Sequence, residues 1–187
     1  MTSLNYCLSR LRGEQGVIAF GDSEDWCVTR FDSDDDTLEV YWSEPNAPYR
    51  RTSASQHSEG VFRPWGGHAE MQMIRGFQES IVQYGAIPYL VEIFISRSPC
   101  SRSQAFNVAG HVYPVGCGRK ILELVNVYPA VSVWKVVYNQ VFSGSRNAPD
   151  EEATAQAEFM INRLNQHPRV EALLWAEYQH RLQPAGQ

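Results

Sequence analysis

The sequence of 187 residues contains no stretch near the roughly 20 apolar residues that a membrane-spanning helix needs. Met1–Gly16 lacks the apolar block of roughly 7–15 residues that marks a secretory signal. Cysteine is sparse: Cys7, Cys27, Cys100 and Cys117 are the four, enough for two disulfides at most. Without a secretion signal, free or metal-bound thiols are expected instead. Internal repeats and low-complexity tracts are absent, so an array architecture is not expected. An excess of positive charge is missing too: 16 Lys and Arg stand against 21 Asp and Glu, which argues against a generic nucleic-acid coat.

What is present is ordinary for a globular protein, with 43% apolar and 20% charged residues. One domain over 1–187, large enough to bury a core, is the simplest organisation. Charge is unevenly spread. Residues 1–60 carry 5 basic and 11 acidic side chains, 61–146 carry 8 and 4, and 147–187 carry 3 and 6. A locally basic middle in an acidic chain suits a short single-stranded substrate better than a long duplex; ordinary variation of surface charge explains the split equally well.

Periodicity supplies the elements. Leu4, Cys7, Leu8 and Leu11 predict a short amphipathic helix over 3–13. Val17–Phe20, Trp26–Phe31 and Leu38–Trp42 read as strands, with an acidic turn over Asp32–Asp36. Ser43–Pro64 reads as a long loop, a candidate flap. A helix is expected from Gly67 to about Tyr84, with Met71, Ile74 and Phe77 as core, and a buried strand over Pro88–Ile95. A second helix follows over Gly118–Val125, and Val131–Phe142 is the strongest strand signal. Asp150 is the expected N-cap of a helix to Gln166, and Arg169–Leu182 reads as a further helix after Pro168. No β run stands out after Phe142. Strands alternating with helices place the chain in a three-layer α/β class, a mixed central sheet flanked by helices, with extra C-terminal helices.

The chemistry is carried by three short motifs: His68-Ala69-Glu70, Ser98-Pro99-Cys100 and Gly116-Cys117. A catalytic zinc site uses three protein ligands and leaves the fourth position for water. His68, Cys100 and Cys117 are the candidate ligands, and Glu70, two residues beyond the histidine, is the candidate general acid/base. His111 is a rival for the third ligand position. Cys7 and Cys27 read as core residues.

The order and composition of these motifs resemble the zinc-dependent cytidine and nucleic-acid deaminases, whose signature is H-x-E followed by P-C-x-x-C. The likeness covers about residues 66–137. Pro99-Cys100 is followed by Ser101-Arg102-Ser103, so Cys117 takes the place of the expected second cysteine after an insertion over 101–115. In this respect the chain is similar to the bacterial polymorphic-toxin deaminases. The resemblance implies a cytidine-deaminase-like fold with a catalytic core over about 61–146, a Zn2+ cofactor, and deamination of cytosine in nucleic acid, single-stranded DNA foremost. It implies a toxin acting in the cytoplasm, or delivered into a target cell's cytoplasm, with an immunity protein as a possible partner and no membrane. It also implies substrate contacts at Ala69 and Ser98.

Arg102, Phe106 and Tyr113 between the two cysteines, and Arg63, Trp65 and Trp42 on the other side, have the composition to stack a splayed base and hold phosphate. They serve equally well to pin loops down. Other functions stay open at this point: a deaminase of free nucleosides or nucleotides, or of adenine in transfer RNA; a non-catalytic module with structural zinc; and a Cys–His hydrolase built on Cys100 and His68.

Overall fold

The computed structural model describes residues 25–42, 68–101, 106–108, 111–113, 116–145 and 148–182. The expected helix over 3–13, strand Val17–Phe20 and loop Ser43–Pro64 lie outside these. In chain order the elements are β1 (Trp26–Phe31), β2 (Asp34–Trp42), α1 (Ala69–Tyr84), β3 (Leu90–Ile95), β4 (Phe106–Val108), β5 (His111–Tyr113), α2 (Cys117–Val127), β6 (Val133–Tyr138), β7 (Gly144–Ser145), β8 (Ala148–Pro149), α3 (Glu151–Asn165), β9 (Val170–Leu174) and α4 (Trp175–Leu182). Five strands form one mixed sheet in the order β2-β1-β3-β6-β9. β1 is antiparallel to β2 and β3, whereas β3, β6 and β9 run parallel. No described helix is long and apolar enough to cross a membrane.

Strand alternation divides the sheet into two buried faces. Cys27, Phe31, Val91, Ile93, Ile95, Trp134 and Val136 share one core with Met73, Ile74 and Phe77 of α1, Ile121 and Leu124 of α2, and Met160 and Leu164 of α3. Trp26, Val28, Phe94, Val137 and Leu173 face the other way and pack with Trp175 and Tyr178 of α4. The result is three layers: three helices, the sheet, and one helix. Cys27 is core, as expected, as are Met71, Ile74 and Phe77.

Three boundaries differ from the sequence reading. The turn expected over Asp32–Asp36 is only two residues long. Asp32 and Ser33 both have positive φ, 49° and 62°, as a two-residue hairpin turn matching the twist of its strands requires. Asp32 then ties the hairpin to the next unit by accepting from the backbone N–H of Leu90 at 2.6 Å and from the Tyr84 hydroxyl at 2.8 Å. The Val131–Phe142 run contributes a strand only over Val133–Tyr138, because the chain beyond it turns to form the cleft described below.

The third difference concerns Arg169–Leu182, which is not one helix. Its first part is β9, a fifth strand, and only Trp175–Leu182 is helical. Val170-Glu171-Ala172-Leu173-Leu174 consists mostly of good helix formers, and five residues are too few to show a strand period. Tertiary pairing decides the matter. β6 offers an open edge, and the Asn165 side chain bonds the main chain of Ala172 twice, donating to its carbonyl at 3.0 Å and accepting from its N–H at 2.7 Å. The amide thus acts as a short substitute for the next strand and protects the edge. Arg169, just before β9, donates to the carbonyls of Val125, Tyr128 and Val131 at 2.7–2.8 Å, closing the C-terminal end of α2. Asp150 caps α3 as expected, accepting from the N–H of Glu152 at 2.9 Å.

Asn165→Ala leaves two polar groups of Ala172 unpaired at a mostly buried position. We expect a loss of about 2–3 kcal/mol in unfolding free energy at unchanged denaturant slope. A loss under about 0.5 kcal/mol in urea titration would show that this amide does not hold the edge.

Candidate metal centre

The parallel strands place their carboxyl ends together, and there the motifs converge. α1 runs back from the carboxyl end of β3 and α2 runs back from that of β6, so both helices open at the same edge of the sheet. His68 is the N-cap of α1, with φ −64° and ψ 145° and no side-chain capping bond. Its carbonyl accepts from the N–H groups of Met71 and Gln72, which leaves the imidazole to face the sulfurs. Cys117 is the first residue of α2, after the N-cap Gly116.

Gly116 has no side chain with which to cap α2. Cys100 does this work instead: its sulfur accepts from the N–H of Cys117 at 3.2 Å and its carbonyl from the N–H of Gly118 at 3.2 Å. The Nδ1 atom of His68 lies 3.3 Å from the sulfur of Cys117 and 3.7 Å from that of Cys100. All three donor atoms lie within 4.8 Å of one another. A tetrahedral ion with bonds of about 2.3 Å to sulfur and about 2.0 Å to nitrogen would set such atoms about 3.5 Å apart. The donors therefore fit a metal ion, and His68, Cys100 and Cys117 form a group that can hold one.

The three donors and Glu70 are coupled through their protons. The Cys100 thiol is held well below its usual range, chiefly by a hydrogen bond from Cys117 and then by His68. Cys117 is pushed up, first by donating to Cys100 and then by burial. Its bond to the Cys100 sulfur raises the His68 imidazole to about 9. Glu70, in the first turn of α1, is pushed up to about 7 by burial, with the His68 charge acting against the rise. An acid poised there exchanges protons readily near neutral pH.

Beside this group lies a small cleft open to solvent, whose described walls are Asp25, Trp26, His68, Glu70, Ser96, Arg97, Ser98, Cys100 and Phe142. Ser98 is buried; its hydroxyl accepts from the N–H of Phe142 at 2.9 Å and its own N–H donates to the carbonyl of Gln140 at 2.8 Å. Ala69 is buried behind His68, at the first position of α1. Trp65 and Arg102 lie outside the described residues. Phe106 is in β4, where its backbone is the register partner of Tyr113 in β5. His111 opens β5, and its side chain lies outside the description.

Asp25, Trp26, Ser96, Arg97 and Phe142 were not among the candidates read from sequence. Arg97 and Phe142 had a signal, because ligands of open α/β sheets bind beyond the carboxyl ends of strands, and both follow such ends. Asp25 and Trp26 had none. They reach the site through the antiparallel pairing of β1 with β3, in which Cys27 stands opposite Ile95 and the N–H of Ser96 donates to the carbonyl of Trp26 at 3.1 Å.

No protein-family model matches this chain, and no curated protein sequence matches it at a significant level.

A methyl group on Gly118 would lie 2.3 Å from Cγ of Met160 in α3. Gly118→Ala therefore forces either the Met160 side chain or the first turn of α2, and with it Cys117, to shift. We expect weaker cobalt(II) uptake, read from the thiolate-to-cobalt charge-transfer absorption, by about tenfold or more. Adding Met160→Ala makes room and restores most of it. Equal cobalt affinity in Gly118→Ala and the parent would show that the seat of α2 does not set the ligand geometry.

Proposed function

We propose that the chain is a zinc-dependent hydrolytic deaminase of the cytidine-deaminase-like fold, converting cytosine in nucleic acid to uracil. Single-stranded DNA is the proposed substrate. The observation that carries this reading is the meeting of a buried carboxyl, Glu70, with the His68–Cys100–Cys117 group at the wall of an open cleft. Two sulfurs and one imidazole suit zinc among the common ions. Among the described residues the group has three members, and a structural zinc is normally closed by a fourth. Zinc bound here supplies a Lewis acid that activates water.

Glu70 performs the proton work. It would take a proton from the attacking water and deliver it to the ring nitrogen beside the reacting carbon, then take the remaining proton of the added hydroxyl and pass it to the departing amine as the carbonyl forms. The balance is one water consumed, one carbon–nitrogen bond broken, one carbonyl made and one ammonia released. A carboxyl buried in the first turn of α1 beside the three donors is placed to accept and to donate protons there. A Cys–His hydrolase fits less well. One imidazole nitrogen faces two sulfurs at nearly equal range, which suits shared chelation better than a nucleophile with its base.

The basic middle segment, 8 basic against 4 acidic residues over 61–146, supports a short single strand as substrate. The toxin role, action in a target cell's cytoplasm and an immunity partner rest on the resemblance of the Pro99-Cys100 and Gly116-Cys117 motifs to toxin deaminases.

Glu70→Gln should reduce uracil formation from a cytosine-containing oligonucleotide by at least about a hundredfold. Zinc should stay at about one per chain by elemental analysis. In cells expressing the parent protein, DNA sequencing should show C-to-T changes. Full turnover in Glu70→Gln, or A-to-G changes in place of C-to-T, would overturn the assignment.

A further inference from the structure

Cys100 and Cys117 share a chemistry and differ in setting. Cys100 is half-buried and lines the cleft that opens to solvent, whereas Cys117 is wholly buried and stands outside its described walls. Cys27 is wholly buried in the core shared with α1, and Cys7 lies outside the described residues. The first turn of α2 grips Cys100 at two points: the N–H of Cys117 donates to its sulfur at 3.2 Å, and the N–H of Gly118 to its carbonyl at 3.2 Å. A disulfide needs Cα atoms about 4.4–6.8 Å apart, a spacing within reach of main chains joined this way. The two sulfurs lie within 4.8 Å of each other and face one imidazole nitrogen, at 3.3 Å and 3.7 Å. The Cys117 N–H, at the positive end of an 11-residue helix, favours negative charge on the Cys100 sulfur. A partly exposed, charge-stabilised sulfur with a buried one close behind is what thiol–disulfide exchange requires.

We propose that Cys100 and Cys117 form a redox-active dithiol that closes to a reversible disulfide, with a small-molecule disulfide such as oxidised glutathione as the oxidant, and that this bridge competes with a metal ion for the same two sulfurs. Cys100 attacks first: its sulfur bonds to one sulfur of the reagent, the reagent's S–S bond breaks, and one glutathione leaves as a thiol. Cys117 then attacks the Cys100 sulfur of the mixed disulfide and expels the second glutathione. The two protein thiols give up two electrons, the reagent is reduced to two thiols, and the two protein thiol protons leave with them. Metal binding requires thiolates, so the bridged chain takes up no metal through these sulfurs and the reduced chain does. The proposal rests on the geometry of the donors and holds whatever reaction the site performs.

The test uses the full chain, stripped of metal by a chelator and treated with about 1 mM oxidised glutathione. The parent should lose about two thiols per chain and about 2 Da in mass. It should retain no glutathione and yield a linked Cys100–Cys117 peptide, and dithiothreitol should restore both thiols. The bridged form should bind cobalt(II) at least about a hundredfold more weakly than the reduced form. Prior loading with zinc should slow thiol loss at least about tenfold. Cys117→Ser should stop at the mixed disulfide, adding about 305 Da to the Cys100 peptide, and in Cys100→Ser the Cys117 thiol should stay unmodified. A parent that keeps both thiols, that holds glutathione on Cys100 beside an intact Cys117 thiol, or that bridges to Cys7 or Cys27 instead would overturn the proposal. Glutathione on Cys117 in Cys100→Ser would overturn the assignment of Cys100 as the attacking sulfur. Should the reduced chain bind neither zinc nor cobalt, the metal reading falls, while the peptide map still decides the disulfide.

Discussion

Everything at the candidate metal centre depends on how the first turn of α2 is fastened to the end of β3. A helix that starts at Gly116-Cys117 has unpaired N–H groups and no side-chain cap of its own. Cys100 satisfies two of them, one through sulfur and one through its carbonyl. One contact thus finishes the helix, fixes the separation of two ligands and draws negative charge onto sulfur. Stability and chemistry are coupled here because the same two hydrogen bonds serve both.

The opposite face of the sheet shows a different solution to burial. Glu92, on the central strand β3, is almost wholly buried and would be costly there alone. It accepts from Nε of Arg30 at 2.7 Å and from the Tyr178 hydroxyl at 2.7 Å, and Arg30 also donates to that hydroxyl at 2.7 Å. The triangle joins β1, β3 and α4 at one fixed setting. A buried ion pair of this kind contributes little net stability over a well-packed apolar set, so its effect is better read as registration of α4 on the sheet. Burial, and after it the charge of Glu92, pushes the Tyr178 hydroxyl well up from its ordinary range, which keeps it a neutral donor to Glu92.

Much of this was legible in residue order, and the reason is local. Helix α1 carries its apolar residues at intervals of three and four, and Gly85 ends it in the left-handed region at φ 78°, a position glycine suits. Strand β1 was bounded correctly because six buried residues, four of them large and apolar or cysteine, read as one block in spite of Thr29 and Arg30. His68, Glu70 and the two cysteines were readable as a set because donor chemistry is written in residue type. Strand β9 was hidden because its residues prefer helix, and only the edge of β6 and the Asn165 amide overrule them. The bond from Arg97 to Asp25 in the cleft wall was hidden for a related reason: 72 residues separate the two, and no local pattern announces a strand register.

The separation of Cys100 and Cys117 in sequence deserves a physical account rather than a spacing rule. Sixteen residues lie between them, yet their sulfurs meet the same imidazole. The cost of closing a loop grows only with the logarithm of its length, about 0.6 kcal/mol for each doubling, so a longer connection between fixed ends is cheap. Part of this one is spent on the β4–β5 hairpin, in which Phe106 pairs with Tyr113, and Ser101 is tied to Gln156 of α3 by a 3.3 Å hydrogen bond. The ends are set by β3 on one side and by α2, seated against Met160, on the other. A donor set defined by where a strand stops and a helix starts tolerates a longer connection between them, because the ends and not the loop fix the donors.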